Sequence, residues 1–338
     1  MSETIPGPSR DRFLRRYVLA HYATGGVVVD LSSGNYFRVN TTAAIVCSAL
    51  LGSEEPEDLV ANALGVSPED ASCVISDVVA GLAAPAFRTD PPGAYHFFPT
   101  KIGYVLRQGN RRLLEVDQSG QVISLPGGYP TDQPTLLEFY VRALAPKLLF
   151  QRQITVLHAS SCLTENEQVV AFAGLSGAGK TTTARAFAAT SMELMSEDLL
   201  VFAPAVDQTR VLVGAERFIH EWASRVAMAL VASPDGVPAG DLSAVIDGPT
   251  VGIERILFLD RSRRIGDQFT TRSLDKPDAL VTFMAHNFLG DSEPATWRRY
   301  FTTAADLVEK IKTEEASAPD GVDRLPVAVA AYISNRTS

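Results

Sequence analysis

Residues 174–181 have the spacing Gly-x-x-x-x-Gly-Lys-Thr, which is typical of a loop that cradles the phosphates of a nucleotide. The glycines let successive backbone N–H groups approach a polyphosphate, because no Cβ atom blocks them. The lysine of this spacing neutralises phosphate oxygens, and the hydroxyl that follows it can ligate Mg²⁺. The residues predicted to bind ATP are Gly174, Ser176, Gly177, Ala178, Gly179, Lys180, Thr181 and Thr182.

The segments on either side of this loop have the composition that the motif requires. Residues 169–173 are uniformly apolar and predict a buried strand, whereas residues 181–189 are rich in alanine and lack Gly and Pro, which favours a helix. The N-terminus of that helix would face the loop and favour an anion there. The order strand, loop, helix therefore predicts a nucleotide site in preference to an accidental Gly-rich turn.

An acidic pair follows the loop at a distance that suits catalysis. Glu197 and Asp198 come at the end of a short strand predicted at 192–195, 17 and 18 residues after Lys180. Carboxylates in this place can bind the Mg²⁺ of a nucleotide, here together with Thr181, and can accept the proton of an attacking hydroxyl. The other interpretation is a solvated acidic turn; the preceding loop favours function.

His158 is a further candidate because of the hairpin in which we expect it. A polar turn at 164–167 joins a strand at 154–160 to the strand before the loop. If Leu163 pairs near Gln168, His158 lies opposite Ala173, beside the phosphates. In that place His158 could donate a hydrogen bond to a phosphate oxygen or to the catalytic base. The alternative is that His158 has only a structural role within its strand.

The composition of the whole chain limits its partners. A net charge of −9 argues against nucleic acid as the main partner, because binding its phosphates needs a basic face. The three cysteines fit neither a disulfide framework nor a metal site, so we expect a reducing cytoplasm and no metal beyond Mg²⁺. The sequence has no run of about 18 consecutive apolar residues, so it predicts no membrane span.

Pro and Gly residues, which interrupt helices and strands, divide the 338 residues into four segments. Residues 1–16 predict a flexible arm. Residues 17–90 predict a winged-helix-like module with a hairpin at 27–40 and helices at 42–51, 55–64 and 67–82. Residues 91–150 predict antiparallel strands and a helix, and residues 151–338 an α/β domain with a mixed sheet that ends in helices at 280–289 and 296–312 and a strand at 327–332.

The run L-H-A-S, a hairpin turn, V-V-A-F-A-G-L-S-G-A-G-K-T-T and then S-E-D resembles the core of the HPr kinase/phosphorylase-like family, whose fold is related to that of ATP-dependent phosphoenolpyruvate carboxykinase. The resemblance covers roughly residues 135–330. It implies that His158 is the family's histidine and that Glu197 and Asp198 are its acidic pair. The family usually has Asp-Asp here, so which carboxylate is the base and which holds magnesium stays open. The Glu-Ile-Arg-Gly signature of bifunctional HPr kinases is missing, so neither phosphorylase activity nor HPr as substrate is implied.

The stretch V-V-V-D-L-S-S-G-N-Y-F-R-V-N-T-T-A-A resembles PqqD-like modules, which bind the leader of a precursor peptide as an added strand. A plain winged-helix interaction domain is the alternative. The combination resembles lasso-peptide precursor kinases, which implies an ATP- and Mg²⁺-dependent serine kinase acting on a precursor peptide, typically at its C-terminal serine. The resemblance also implies that the protein can form a homo-oligomer, since the family often forms hexamers, but the sequence does not give the number of subunits. The alternatives are a sugar-type kinase on the same fold and a nucleotide-gated binding protein without transfer.

Overall fold

The computed structural model describes residues 10–32, 35–52, 55–83, 95–101, 103–108, 111–117, 122–124, 137–138, 140–175, 177–190, 192–203, 209–232, 242, 245, 247–260, 266–286, 294–319 and 321–337. These residues form an α/β protein that divides into two compact units. The first unit comprises 1–92, 275–281 and 292–305, and the second comprises 93–274, 282–291 and 306–338. Among the described residues, no helix has the length and apolar composition that crossing a membrane requires.

In the N-terminal unit, a small antiparallel sheet packs with helices. Its strands, paired in the order β1-β2-β3, are β1 (Tyr17–Tyr22), β2 (Gly25–Asp30) and β3 (Asn35–Val39). Its helices are α1 (Arg10–Arg16), α2 (Thr41–Gly52), α3 (Pro56–Leu64) and α4 (Pro68–Ala83). The predicted hairpin at 27–40 and the three predicted helices are confirmed. The Ser67 hydroxyl caps α4 by accepting from the Asp70 N–H at 3.1 Å, as its place before Pro68 predicts.

The end of the arm predicted at 1–16 forms α1, which the sequence analysis missed. Phe13 is buried and stacks at 4.7 Å on Tyr17, and Arg16 forms an ion pair of 2.7 Å with the buried Asp30. These contacts stabilise a helix of seven residues that would be marginal alone. Residues 1–9 lie outside the described part of the chain.

Two segments from late in the chain belong to the N-terminal unit. They come from α8 (Lys276–Ala285) and α9 (Pro294–Lys310), the two helices predicted near the end of the chain. Arg38 in β3 forms ion pairs with Asp275 at 2.9 Å and Asp278 at 2.6 Å. The sequence assigned both segments to residues 151–338, because nothing local marks a helix that packs against a distant module.

The second unit begins with an antiparallel sheet whose strands pair in sequence order, as predicted. They are β4 (Tyr95–Pro99), β5 (Gly103–Gln108), β6 (Arg111–Asp117) and β7 (Val122–Ser124). A π-helical turn, Tyr140–Leu144, then leads directly into α5 (Ala145–Gln151).

The main sheet of the second unit is mixed and eight-stranded in the described residues, with the order β10-β8-β9-β13-β15-β14; β11 also pairs with β8, and β12 with β13. The strands are β8 (Val156–Leu163), β9 (Gln168–Ala173), β10 (Glu193–Ser196), β11 (Leu199–Val201), β12 (Arg210–Leu212), β13 (Thr250–Leu259), β14 (Thr270–Ser273) and β15 (Lys312–Ser317). The helices are α6 (Lys180–Ala188), α7 (Ala215–Ala232) and α10 (Leu325–Thr337). The central strands β9, β13 and β15 are parallel, which brings the phosphate loop after β9 to the same edge as the end of β13.

The predicted register of the β8–β9 hairpin is wrong by one residue. The structure pairs Leu163 with Val169 and Ala159 with Ala173. The Thr164 N–H donates to the Gln168 carbonyl at 2.8 Å, so the loop has three residues, and Glu167 lies in the left-handed region at φ +55°.

The strand predicted at 327–332 is wrong, because this segment lies within α10. The alternation of Val and Ala suggests a strand, but Leu325, Ala328 and Val329 are the buried residues, at helical spacing. The last strand is β15, whose polar sequence Lys-Thr-Glu-Glu-Ala-Ser gives no strand signal. Its buried Glu314 is paired with Arg255 at 3.3 Å, which allows a charged residue in the sheet.

Candidate active site

The loop between β9 and α6 has the geometry of an anion cradle. Gly177 and Gly179 have φ values of +76° and +97°, which a side chain would strain. A Cβ atom on Gly174 would lie 2.9 Å from the Ala178 Cβ and 3.1 Å from the Leu259 carbonyl oxygen, so only glycine fits there. Ser176 lies outside the described residues, and Thr182 is exposed in the first turn of α6. The loop can bind a polyphosphate through backbone N–H groups at the start of a helix.

Lys180 folds back into this cradle. It is 7% exposed, and its Nζ donates to the carbonyl oxygens of Gly174 at 2.9 Å and Leu175 at 3.4 Å. Burial lowers the pKa of Lys180 to about 8, an effect that Asp198 opposes and Arg142 reinforces. A buried ammonium group held by neutral carbonyls gains from an anion brought beside it.

The Thr181 hydroxyl is positioned for a metal ion that arrives with phosphate. It donates to the Glu197 carbonyl at 3.2 Å and lies 3.3 Å from the Ser160 Oγ, which bonds to the same carbonyl. Its oxygen lone pairs are left for a cation. Within the described residues, no three His, Cys, Asp or Glu side chains gather as a metal site. Thr181 and phosphate oxygens therefore fit Mg²⁺ better than a site made of protein ligands alone.

Asp198 is held on both oxygens by side chains from two other elements. His158 Nε2 lies 3.1 Å from Oδ1, and Arg142 Nε donates to Oδ2 at 3.1 Å. Burial, followed by the charge of Lys180, lowers the pKa of His158 to about 4, so its ring is neutral at pH 7. Since a carboxylate only accepts, Nε2 carries the proton of that ring. Asp198 can thus take up a proton beside the phosphate cradle, oriented by two donors.

The side chain of Glu197 has a different partner. Its Oε1 accepts from Arg185 Nη2 at 2.7 Å and Nε at 3.1 Å, and the side chain is 44% exposed. Arg185 lies on α6, so this ion pair links α6 to the turn that contains Glu197 and Asp198, called the acidic turn below. The two carboxylates that the sequence treated as interchangeable therefore differ, and Asp198 is the one that interacts with His158 and Lys180.

Glu216, in the first turn of α7, binds the backbone of the acidic turn through its carboxylate. Its Oε2 accepts from the Glu197 N–H at 2.7 Å, and its Oε1 accepts from the N–H groups of Asp198 at 2.7 Å and Leu199 at 3.2 Å. Burial raises the pKa of Glu216, and these three N–H groups oppose the shift. One carboxylate thus fixes the backbone on which Asp198 is carried.

Replacing Glu216 with Gln should loosen this turn, because the amide NH₂ would face a backbone N–H donor. We expect a loss of about 1–3 kcal/mol in the free energy of unfolding. Thermal unfolding measures this change, and Glu221→Gln on the same helix is the matched control. Glu221 pairs with Arg217 at the surface, so its replacement should change stability by less than about 0.5 kcal/mol. Equal stability of the two variants would show that the turn does not depend on Glu216.

Sequence reasoning assigned no role to three side chains of this site: Arg142, Glu216 and His286. Burial lowers the pKa of His286, the bond to the Thr282 carbonyl opposes this shift, and the charge of Lys180 reinforces it. None of the three has a local motif, and the turn that carries Arg142 is 56 residues from Asp198. The sequence also suggests that Arg261, Arg263 and Arg264 contact phosphate or an acidic substrate, but these residues lie outside the described part of the chain.

No protein-family model matches the chain, and no curated protein is similar to it at a significant level.

Proposed function

We propose that this protein is an ATP- and Mg²⁺-dependent serine kinase that phosphorylates a ribosomally synthesised precursor peptide of the lasso-peptide type. The proposal includes an HPr-kinase-like catalytic core and a PqqD-like N-terminal module. The observation that carries it is the position of Asp198, bonded to His158 and Arg142, within the electrostatic reach of Lys180 in the phosphate cradle.

Each group of the site would have one role. The backbone of the loop and Lys180 would hold the triphosphate, and Thr181 would ligate Mg²⁺, which neutralises phosphate charge when bound. Asp198 would accept the proton of the attacking serine hydroxyl. His158 and Arg142 would orient Asp198, and Glu197 would brace the turn through Arg185. This division favours Asp198 as the base, a point that the sequence left open.

The N-terminal unit offers a place for the leader of a precursor. In the described residues, β3 is the last strand of its sheet and pairs only with β2, so an extended peptide would add as a fourth strand at this edge. Strand addition gives affinity through backbone hydrogen bonds. This edge supports a peptide as the acceptor in preference to a sugar.

Incubation with ATP, Mg²⁺ and a precursor peptide encoded beside the gene, followed by mass spectrometry, tests the function. We expect one or more phosphates on a serine of the peptide, and no product when EDTA removes Mg²⁺. An unmodified peptide together with a phosphorylated sugar would replace the proposal with a sugar-type kinase. ATP binding without any transfer would indicate a nucleotide-gated binding protein.

A further inference from the structure

A surface groove of about 560 Å³ lies within the N-terminal unit. It is formed by the end of α1, the residue that follows β2, and one stripe of α9. The residues that line it include Arg15, Leu31, Ala295, Arg298, Arg299 and Thr302. On α9 these residues recur at helical spacing, so their side chains share one face.

The groove concentrates positive charge in a chain whose net charge is −9. Two arginines elsewhere in the described part of this unit are neutralised: Arg16 is paired with Asp30, and Arg38 with two aspartates. In the part of the chain that the structure describes, Arg15 and Arg298 form no ion pair with a carboxylate. Arg298 donates only to the Leu14 carbonyl, at 3.4 Å. The guanidinium groups of Arg15 and Arg298 are therefore available to an anion.

The apolar part of the lining restricts what that anion can be. Leu31 is buried beneath the groove, and Pro294 and Ala295 contribute exposed apolar surface. A ligand with carboxylates and apolar side chains in alternation matches both kinds of surface. Nucleic acid matches them less well, because its bases stack on aromatic side chains, and no aromatic residue is among those that line this groove.

We propose that this groove binds an acidic segment of a peptide, with glutamate or aspartate side chains on Arg15 and Arg298 and apolar side chains on Pro294 and Ala295. That this peptide is the precursor rests on the proposed function. That the peptide is acidic and partly apolar rests on the residues of the groove alone. The groove is separate from the β3 edge, so one peptide could use the edge for affinity through its backbone and the groove for selection by charge.

A fluorescein-labelled ten-residue peptide of alternating glutamate and leucine is the probe, and fluorescence anisotropy without nucleotide measures its binding to the full chain. We expect Arg15→Glu/Arg298→Glu to raise the Kd at least tenfold. The control Arg217→Glu/Arg225→Glu makes the same charge change on α7 and should shift the Kd less than twofold. A probe with glutamine in place of glutamate should bind the unchanged protein at least tenfold more weakly.

Equal binding by the groove variant and the control variant would overturn the proposal, as would tighter binding of a ten-nucleotide DNA that is lost in the groove variant. Thermal unfolding verifies that the variants fold, and Arg15→Gln/Arg298→Gln gives the same test without charge reversal. Because no ATP is present, Lys180→Met should bind the probe normally. Probe binding without phosphorylation of any peptide would leave the groove in place and refute only the kinase.

Discussion

Replacing Asp198 with Asn should reduce phosphoryl transfer by about 10²–10⁴-fold, the range associated with loss of a general base. Asparagine keeps the shape of the side chain and can still accept from either Arg142 or His158, but it cannot take up the proton of a hydroxyl. Single-turnover phosphorylation measures the loss. Calorimetric titration with ATP should show nearly unchanged affinity, because the cradle and Lys180 remain.

Glu197→Gln is the matched control for this variant. Glu197 is bonded to Arg185 at the surface of α6, so its neutralisation should reduce transfer by less than about tenfold. If Glu197→Gln were inactive and Asp198→Asn active, the roles of the two carboxylates would be reversed. If both variants turned over normally, neither residue could be the base.

Replacing Lys180 with Met should weaken ATP binding about 10–100-fold and reduce transfer by about 10²–10³-fold, because the variant loses a charged donor to phosphate. The same change should leave the unliganded protein as stable or more stable by up to about 3 kcal/mol, since burial already opposes the charged ammonium group. Calorimetry and thermal unfolding measure both effects. Lys310→Met, which removes an exposed ion pair with Asp306, is the control and should change neither quantity appreciably.

The lowered pKa of Lys180 also predicts how ATP binding of the unchanged protein depends on pH. The negative charge of the phosphates raises the pKa of Lys180 in the complex with ATP. ATP therefore binds better to the protonated lysine, and binding near pH 8 takes up a proton. Affinity should be constant between pH 6.5 and about 7, and the Kd should then rise by up to tenfold per pH unit above about 8. A Kd that does not change up to pH 9.5, or no proton uptake in buffers of different ionisation enthalpy, would contradict this assignment.

Much of the secondary structure was predictable because local signals agree with tertiary packing. The α4 helix has its cap at Ser67 and proline in its first turn, and β9 and α6 frame a loop motif that requires them. The failures occurred where tertiary contacts override local composition. The strand β15 depends on ion pairs of Glu314, and α10 buries Ala328 and Val329 although its sequence alternates.

The candidate site was predictable where it is carried by a contiguous motif and not where it depends on distant segments. Lys180 and Thr181 belong to the loop motif, and the acidic pair follows them closely. Arg142 reaches Asp198 from a π-helical turn, and Glu216 holds the acidic turn from the following helix. A single sequence contains no signal for pairings of this kind, because they depend on how the sheet and the helices pack.

The length of the loop between β8 and β9 matters more for the site than the identity of its residues. Its residues 165–167 are exposed, so we expect their side chains to vary freely, apart from the left-handed backbone at Glu167. Its length is not free. A single inserted or deleted residue would shift the pairing by one and turn His158 and Ser160 to the other face of the sheet, away from Asp198 and Thr181. Among active relatives, substitutions should accumulate in this loop while its length stays at three residues.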